Sequence, residues 1–258
     1  MMKKKLSLIG AGPGDPELIT LKGIKALQSA QVILYDALVH PDLLGYASPE
    51  SLKIFVGKRK GFKAYSQEEI HELILHYATH YGHVVRLKGG DPFLFGRGYE
   101  ELAFAQQHGI EVEVIPGISS AIAVPELQHI PVTLRGISES CWITTGTLTD
   151  GQLSNDLQLA AHSSATIVVL MGVHKLPEIV ALYHHLKKEH MPVAIIQNGS
   201  LPNEKIVTGY MHDILEKASA AAIESPAIIV IGEVVKTHPL FSTENYHSEN
   251  VLAAAHAH

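Results

Sequence analysis

Two glycine-bearing turns hold the residues best placed to bind a ligand. In Val84-Val85-Arg86-Leu87-Lys88-Gly89-Gly90-Asp91-Pro92-Phe93-Leu94-Phe95-Gly96-Arg97-Gly98, an apolar strand-like run ends in two glycines, an aspartate and a proline. Adjacent glycines let a backbone approach a ligand closely and reach positive φ. Asp91 adds an acceptor at the tip, and Pro92 stops the strand. In Leu6-Ser7-Leu8-Ile9-Gly10-Ala11-Gly12-Pro13-Gly14-Asp15-Pro16 a second short apolar run meets a second Gly/Pro/Asp turn. Loops at the carboxyl ends of strands are where open α/β sheets hold ligands. The spacing of the second turn fails the dinucleotide fingerprint G-x-G-x-x-G: the third glycine position is Asp15, and Gly14 comes one residue early. Neither turn is followed by Lys-Ser/Thr, which excludes the phosphate-cradling P-loop. A ligand other than a polyphosphate is expected.

Two further residues could move protons. Asp36 follows Val32-Ile33-Leu34-Tyr35 at a strand end. There it either caps the next turn or accepts a proton in a cleft. Lys58 lies in Val56-Gly57-Lys58-Arg59-Lys60-Gly61-Phe62-Lys63, whose cation density reads as a solvated loop or as a receiver of an anionic substrate. The missing third glycine counts against a nicotinamide-binding oxidoreductase, and the pairing of Asp36 with Lys58 against a non-enzymatic nucleotide-binding module. Among the seventeen histidines, His76 and His80 have helical i, i+4 spacing, but His71-Glu72-Leu73-Ile74-Leu75-His76 is one residue too long for H-E-x-x-H. With a single cysteine and no ligand cluster, no metal is expected.

The elements that must position these residues alternate in the first half of the chain. Strands are expected at Leu6–Gly10, Gln31–Tyr35, Lys53–Val56, His83–Leu87 and Glu111–Ile115, with helices near Leu21–Ala30, Gln67–Tyr81 and Tyr99–His108. Ser66-Gln67-Glu68-Glu69 reads as a capping box. Such alternation implies a mostly parallel sheet covered on both faces. In the second half, strands are expected at Trp142–Thr145, Thr166–Met171, Val193–Gln197, Lys205–Thr208 and Ala227–Ile231, and helices at Leu176–Lys188 and Met211–Ala222. Strands closer together there imply some antiparallel pairing. The expected divisions are an α/β domain over 1–116, a second over 117–240 and a mobile tail over 241–258.

The motifs taken together resemble the tetrapyrrole methylase family over roughly residues 5–240. They are Gly10-Ala11-Gly12-Pro13-Gly14-Asp15, Leu34-Tyr35-Asp36, Val56-Gly57-Lys58-Arg59, Val85 to Pro92, and Val114-Ile115-Pro116-Gly117-Ile118-Ser119-Ser120. The resemblance implies two α/β domains with a cofactor cleft between them. It also implies S-adenosylmethionine-dependent methylation of uroporphyrinogen III at C2 and C7, giving precorrin-2 and S-adenosylhomocysteine on the way to sirohaem or cobalamin. A later-acting precorrin methyltransferase is the alternative within the family. The cofactor contacts it implies are Pro13, Gly89, Gly90, Asp91, Leu94, Ser119, Ser120, Met171 and Gly199. Alone, Met171 would read as a core methionine and Gly199 as a turn glycine. The resemblance makes Asp36 the proton acceptor and Lys58 the proton donor, and Arg59, Arg86, Arg97 and Arg135 are weaker candidates for binding substrate carboxylates, to which an arginine fork is well shaped. Three positions depart from the family pattern: Ala37 replaces an Arg, Leu134 a His, and Thr147 a His. A homodimer is expected from the family.

Bulk composition narrows the partners. The 258 residues carry a formal net charge of −6 and are 46% hydrophobic, enough for packed cores and contrary to nucleic acid as a partner. The apolar run after Met1-Met2-Lys3-Lys4-Lys5 is cut by Pro13 and is too short for a signal peptide. No segment has the length of a membrane span. Cys141 reads as a small buried hydrophobe. A cytoplasmic enzyme is the expectation.

Overall fold

Residues 3–57, 65–148 and 150–241 are described by a computed structural model. The chain divides into two compact units, one ending at Ser119 and the other beginning at Ser120.

The first unit is built on five parallel strands: β1 (Lys5–Gly10), β2 (Val32–Tyr35), β3 (Leu52–Phe55), β4 (His83–Lys88) and β5 (Glu111–Ile115). They lie in the order β3-β2-β4-β1-β5. Strands of period two send alternate side chains to opposite faces. On one face Ile9, Ile33, Val85, Leu87 and Ile115 pack against α1 (Leu21–Gln28). On the other, Leu6, Leu8, Val32, Leu34 and Val84 pack against α2 (Gln67–Tyr81) and α3 (Gly98–Gln107). Burial on both faces is why these strands read as continuous apolar runs. The capping box forms as expected: Ser66 accepts from the Glu69 amide, and Glu69 accepts from the Ser66 amide.

The second unit has a mixed sheet of β6 (Cys141–Thr145), β7 (Thr166–Leu170), β8 (Pro192–Gln197), β9 (Lys205–Tyr210) and β10 (Ala227–Ile231). The order is β6-β7-β10-β8-β9, and only the β6–β7 pair is parallel. Its main core joins Ile167, Val169, Val193, Ile195, Ile229 and Ile231 to α5 (Asn155–His162), α6 (Leu176–His185) and α7 (Ile214–Ala220).

Two helices go beyond the sequence reading. α4 (Ser120–Leu127) contains Pro125, and its serine and proline neighbours give it the composition of a loop. It forms because Ala121, Ala123, Val124 and Pro125 are buried, and tertiary packing overrides propensity. The other is α5, whose Leu157, Ala160 and Ala161 recur at i, i+3 and i+4 after Ser154, a signal that was present in the sequence. Cys141 is half-buried rather than fully buried, and burial pushes its thiol pKa up.

Candidate active site

All the motif loops of the first unit leave the carboxyl ends of its parallel strands, so they share one edge of the sheet. The loops after β1 and β4 turn towards each other and pair in antiparallel fashion. The Gly12 amide donates to the Gly90 carbonyl at 3.2 Å, and the Gly90 amide donates to the Gly12 carbonyl at 2.7 Å. Parallel strands cannot do this within their own ladder. It requires the two chains to turn until they run against each other, and Gly12 and Gly90 sit in these turns at φ 83° and 67°. The loop after β5 closes on the same point. A Cβ on Gly117 would collide with the Gly90 carbonyl and the Gly10 backbone, and one on Gly10 would collide with Gly117. Three backbones therefore meet where no side chain fits.

The surrounding residues lock this contact. The Asp91 carboxylate accepts from the Gly117 amide at 3.0 Å through Oδ2 and from the Phe93 amide at 2.8 Å through Oδ1. Both oxygens are thus engaged in joining the β4 loop to the β5 loop. A Cβ on Gly89 would lie 2.7 Å from that of Leu38, in the turn after β2. Gly90 differs from its neighbours, because the nearest atom to a Cβ there would be the Ser119 Cα at 4.0 Å. Bare backbone at positive φ facing free space is what close approach of a cofactor requires, so the residues present fit an adenosyl ligand held by main chain. Leu94 lies half-buried in the β4 loop, and Pro13 follows Gly12 at the crossing.

The same geometry explains the failed fingerprint. In a dinucleotide site the helix begins at the glycine turn and aims its amides at a pyrophosphate. Here the 3₁₀ turn Pro16–Leu18 intervenes, and α1 begins only after Thr20, whose hydroxyl caps the Gly23 amide.

Asp36 begins the turn after β2, its amide donating to the Leu87 carbonyl at 3.3 Å. Its side chain is 27% exposed, and its Oδ1 accepts from Arg86 Nη2 at 2.6 Å. Arg86 corrects an expectation. Its side chain is 3% exposed, and its guanidinium is committed to Asp36, to Glu101 and to the Leu34 and Leu87 carbonyls. It points into the sheet face under α2 and α3, because Val84, Arg86 and Lys88 share the parity of that face, and no substrate carboxylate can reach it there. Burial opposes its charge, but Glu101 and Asp36 outweigh burial and raise its pKa. Lys88 joins the same group through Glu101 at 2.9 Å; burial, then the neighbouring Arg86, holds its pKa below the usual lysine range.

Arg97 is exposed at φ 58° and paired with Glu100 through Nε at 2.8 Å and Nη2 at 2.6 Å. Arg135 is exposed on a tight turn closed by the Leu134 amide and the Ser138 carbonyl at 2.8 Å. Lys58 and Arg59 lie outside the described residues. Gly57, which precedes them, has its backbone against the Ala37 amide, one residue from Asp36.

In the second unit, Met171 and Gly199 follow β7 and β8, which both run antiparallel to β10, so they too share one edge of their sheet. Met171 is 53% exposed at φ 55°, not the core methionine that its neighbours in sequence suggest. Thr147 Oγ1 donates to its carbonyl at 3.1 Å and lies 2.9 Å from His174 Nε2. A Cβ on Gly199 would collide with Val124 of α4. Ser119 ends the first unit and Ser120 opens α4; both are half-buried.

Residues 5–215 match the family described as Tetrapyrrole (Corrin/Porphyrin) Methylases. The chain belongs to the tetrapyrrole methylase family. It is 46% identical over 236 residues to a uroporphyrinogen-III C-methyltransferase of Methanocaldococcus jannaschii, covering 91% of this chain and 98% of that protein. Against a siroheme synthase of Psychrobacter arcticus it is 38% identical over 94% of its own length, but it spans only 44% of that protein. A crystal structure of uroporphyrin-III C-methyl transferase from Thermus thermophilus with S-adenyl homocysteine has a TM-score of 0.77 at 39% identity, covering 90% of this chain and 99% of that one. A cobalt precorrin-4 methyltransferase has a TM-score of 0.80 at 28% identity, covering 90% and 96%. Ala37 and Thr147 fall in loops that follow β2 and β6, and Leu134 in the turn that carries Arg135.

Proposed function

We propose that this tetrapyrrole methylase transfers methyl groups from S-adenosylmethionine to C2 and C7 of uroporphyrinogen III, giving precorrin-2. The observation that carries the reading is the meeting of Gly10, Gly90 and Gly117, a cradle made of main chain with free space only at Gly90. It is supported by the 46% identity, over nearly the whole of both chains, to a protein named for this activity. A later-acting precorrin methyltransferase is the second reading, and one observation favours it: the fold superposes on the precorrin-4 enzyme with the higher TM-score. Shared fold does not fix substrate, and the lower identity of 28% weighs against that reading.

When bound, the sulfonium supplies an electrophilic methyl group for in-line displacement by a nucleophilic pyrrole carbon. Positioning supplies much of the acceleration in such a reaction. The roles of individual residues are part of the proposal. Gly89, Gly90 and Leu94 hold the cofactor from the β4 loop and Pro13 from the β1 loop. Asp91 acts by tying two loops together. Ser119, Ser120, Met171 and Gly199 supply further contacts. Asp36, held by Arg86, accepts a proton released as the methylated ring rearranges, and Lys58 donates one. Arg59, Arg97 and Arg135 receive substrate carboxylates. At Arg97 a substrate carboxylate would exchange with Glu100, since that fork is already engaged. We further propose a cytoplasmic homodimer; no helix among the described residues is long and apolar enough to cross a membrane.

Anaerobic incubation with uroporphyrinogen III and S-adenosylmethionine, followed by mass analysis, tests the reading. Two methyl additions are expected. Turnover of a precorrin with uroporphyrinogen III left untouched would move the assignment to the later step. Calorimetry is expected to detect S-adenosylhomocysteine and neither NAD nor NADP.

A further inference from the structure

Beneath Asp36 lies a group of charges that a sheet face covered by helices would ordinarily exclude. Arg86 and Lys88 sit two residues apart on β4 and face α2 and α3 among Leu6, Leu8, Leu34 and Val84. Glu101 of α3 is fully buried between them. Its Oε1 accepts from Arg86 Nε at 3.1 Å, from Lys88 Nζ at 2.9 Å and from Gln67 Nε2 at 3.3 Å. Its Oε2 is buried with no hydrogen-bond partner. Burying three charges costs desolvation, and well-packed apolar side chains often hold such a position equally well or better. Stability therefore does not account for the arrangement.

The group has direction. Arg86, Lys88 and Glu101 have side chains 5% exposed or less, while Asp36 at the end of the chain of contacts is 27% exposed at the ligand-facing edge. Arg86 spans from Glu101 to Asp36, with Nε on the first and Nη2 on the second. A guanidinium is a rigid planar fork, so fixing Nε on Glu101 fixes where Nη2 points. That bond takes Asp36 Oδ1, and among the described residues no other hydrogen bond reaches the carboxylate. Oδ2 is left for a proton from the edge.

We propose that Arg86, anchored by Glu101, is a positioning residue that aims the Asp36 carboxylate for proton transfer. This rests on the acid–base role proposed for Asp36. Arg86 acts through Asp36 and touches no substrate. A catalytic carboxylate on a turn gains precision when a buried strand residue locks its rotamer.

The test is a double-mutant cycle. Arg86→Met leaves Lys88 and Glu101 as a balanced buried pair and removes the link to Asp36 together with the bonds to Glu101 and to the Leu34 and Leu87 carbonyls. Single-turnover methylation of uroporphyrinogen III, with saturating S-adenosylmethionine, is expected to slow by about a hundredfold, the scale of a small misplacement of a reacting group. Affinity for S-adenosylhomocysteine should stay within about twofold, since the Arg86 guanidinium bonds to none of the residues proposed to hold the cofactor. In the Asp36→Asn background the same substitution should cost almost nothing, because the group that Arg86 aims is already disabled. Equal slowing in both backgrounds would show a general structural effect and overturn the inference, as would an unchanged rate in Arg86→Met. A crystal structure of Arg86→Met gives a reading independent of activity: Asp36 is expected to leave its present position, and an unmoved carboxylate would overturn the proposal. Should Arg86→Met fail to fold, Arg86→Lys keeps the charge but cannot span both carboxylates, and the same dependence on Asp36 is expected of it. If Asp36→Asn alone turns over at the parent rate, the acid–base reading fails and this inference fails with it. A slow Asp36→Asn with an additive Arg86 effect sinks the inference and leaves that reading standing.

Discussion

The loop-bearing edge of the first sheet and that of the second are each held by different means. In the first unit, backbone meets backbone: Gly10 and Gly117 press on each other and on the Gly90 carbonyl with no room for a Cβ on either, and Gly12 and Gly90 exchange amide bonds. In the second, side chains do the work, with Val124 against Gly199 and the Thr147 hydroxyl on the Met171 carbonyl. The parallel sheet brings five strand ends to one edge, so its loops must share a small space. The mixed sheet sends neighbouring strand ends in opposite directions, and its edge is filled from helix α4 and from side chains. A backbone cradle tolerates no substitution, whereas a side-chain edge can be repacked.

The largest effects should therefore come from the first edge. Gly90→Val is expected to leave a folded protein that no longer binds S-adenosylhomocysteine. The new side chain points into free space, and a β-branched residue at φ 67° carries strain of about 1–3 kcal/mol. Gly117→Ala should instead disrupt the edge itself, since its methyl meets main chain that cannot yield. Thermal unfolding and calorimetry on both variants separate the cases. Unchanged affinity in folded Gly90→Val would show that the cradle is elsewhere.

Asp36→Asn comes next. Loss of a positioned base costs roughly 10²–10⁴-fold in rate, with cofactor affinity preserved because the glycine contacts are untouched. If Asp36 only caps its turn, Asn serves nearly as well and single-turnover rates would match the parent. That result would divide the first edge into a binding part that stands and a catalytic part that does not.

This contrast also governs what could be seen in the sequence. A backbone cradle must be written in glycine and proline, and the loops at Gly10–Asp15, Gly89–Pro92 and Pro116–Ser120 announce themselves as such. The parallel strands were legible for a related reason, since burial on both faces makes unbroken apolar runs. The buried ionic group was not legible. Arg86 and Lys88 alternate with Val85 and Leu87 as a solvent-facing strand would, and Glu101 looks like any polar residue in the first turn of a helix. Only the packing of α2 and α3 over that face turns an exposed pattern into a buried one. The role of Asp91 as a clamp between loops was hidden likewise, because its partner Gly117 is distant in sequence. Helix α4 was missed because Pro125 argues locally for a loop and only the sheet beneath it argues for a helix.

At the second edge the effects should be smaller and reversible. Gly199→Ala places a methyl against Val124, and overpacking of this kind costs about 1–3 kcal/mol. Val124→Ala in the same chain should recover most of that loss, which denaturant unfolding of the single and double variants would reveal. Additive losses would mean that Gly199 is constrained by its backbone, as at the first edge, and the contrast would fall. Thr147→Val removes the hydroxyl that supports Met171 at φ 55°. It should cost about 0.5–1.5 kcal/mol, the net worth of one hydrogen bond, measured the same way.

The smallest effect belongs to surface charge on the flank of the first sheet, where neither kind of packing operates. Glu113 on β5 is bonded first by Lys22 of α1, at 2.8 Å, and then by Lys5 of β1, at 2.7 Å. These cations hold its carboxyl down to about 2, against an ordinary value of 4.5. A folded-state pKa below the unfolded one means that the unfolded chain takes up the proton first as pH falls. The stabilisation is therefore complete above about pH 4.5 and is lost as pH falls toward about 2. The side chain is 29% exposed, so solvent screening limits its worth to at most about 1 kcal/mol, and added salt should reduce it further. Urea unfolding of the parent and of Glu113→Gln would show a small gap at neutral pH that closes on acidification. A gap that persists at low pH would mean that Glu113 contributes by packing rather than by charge, and the flank would then resemble the second edge more than an open surface.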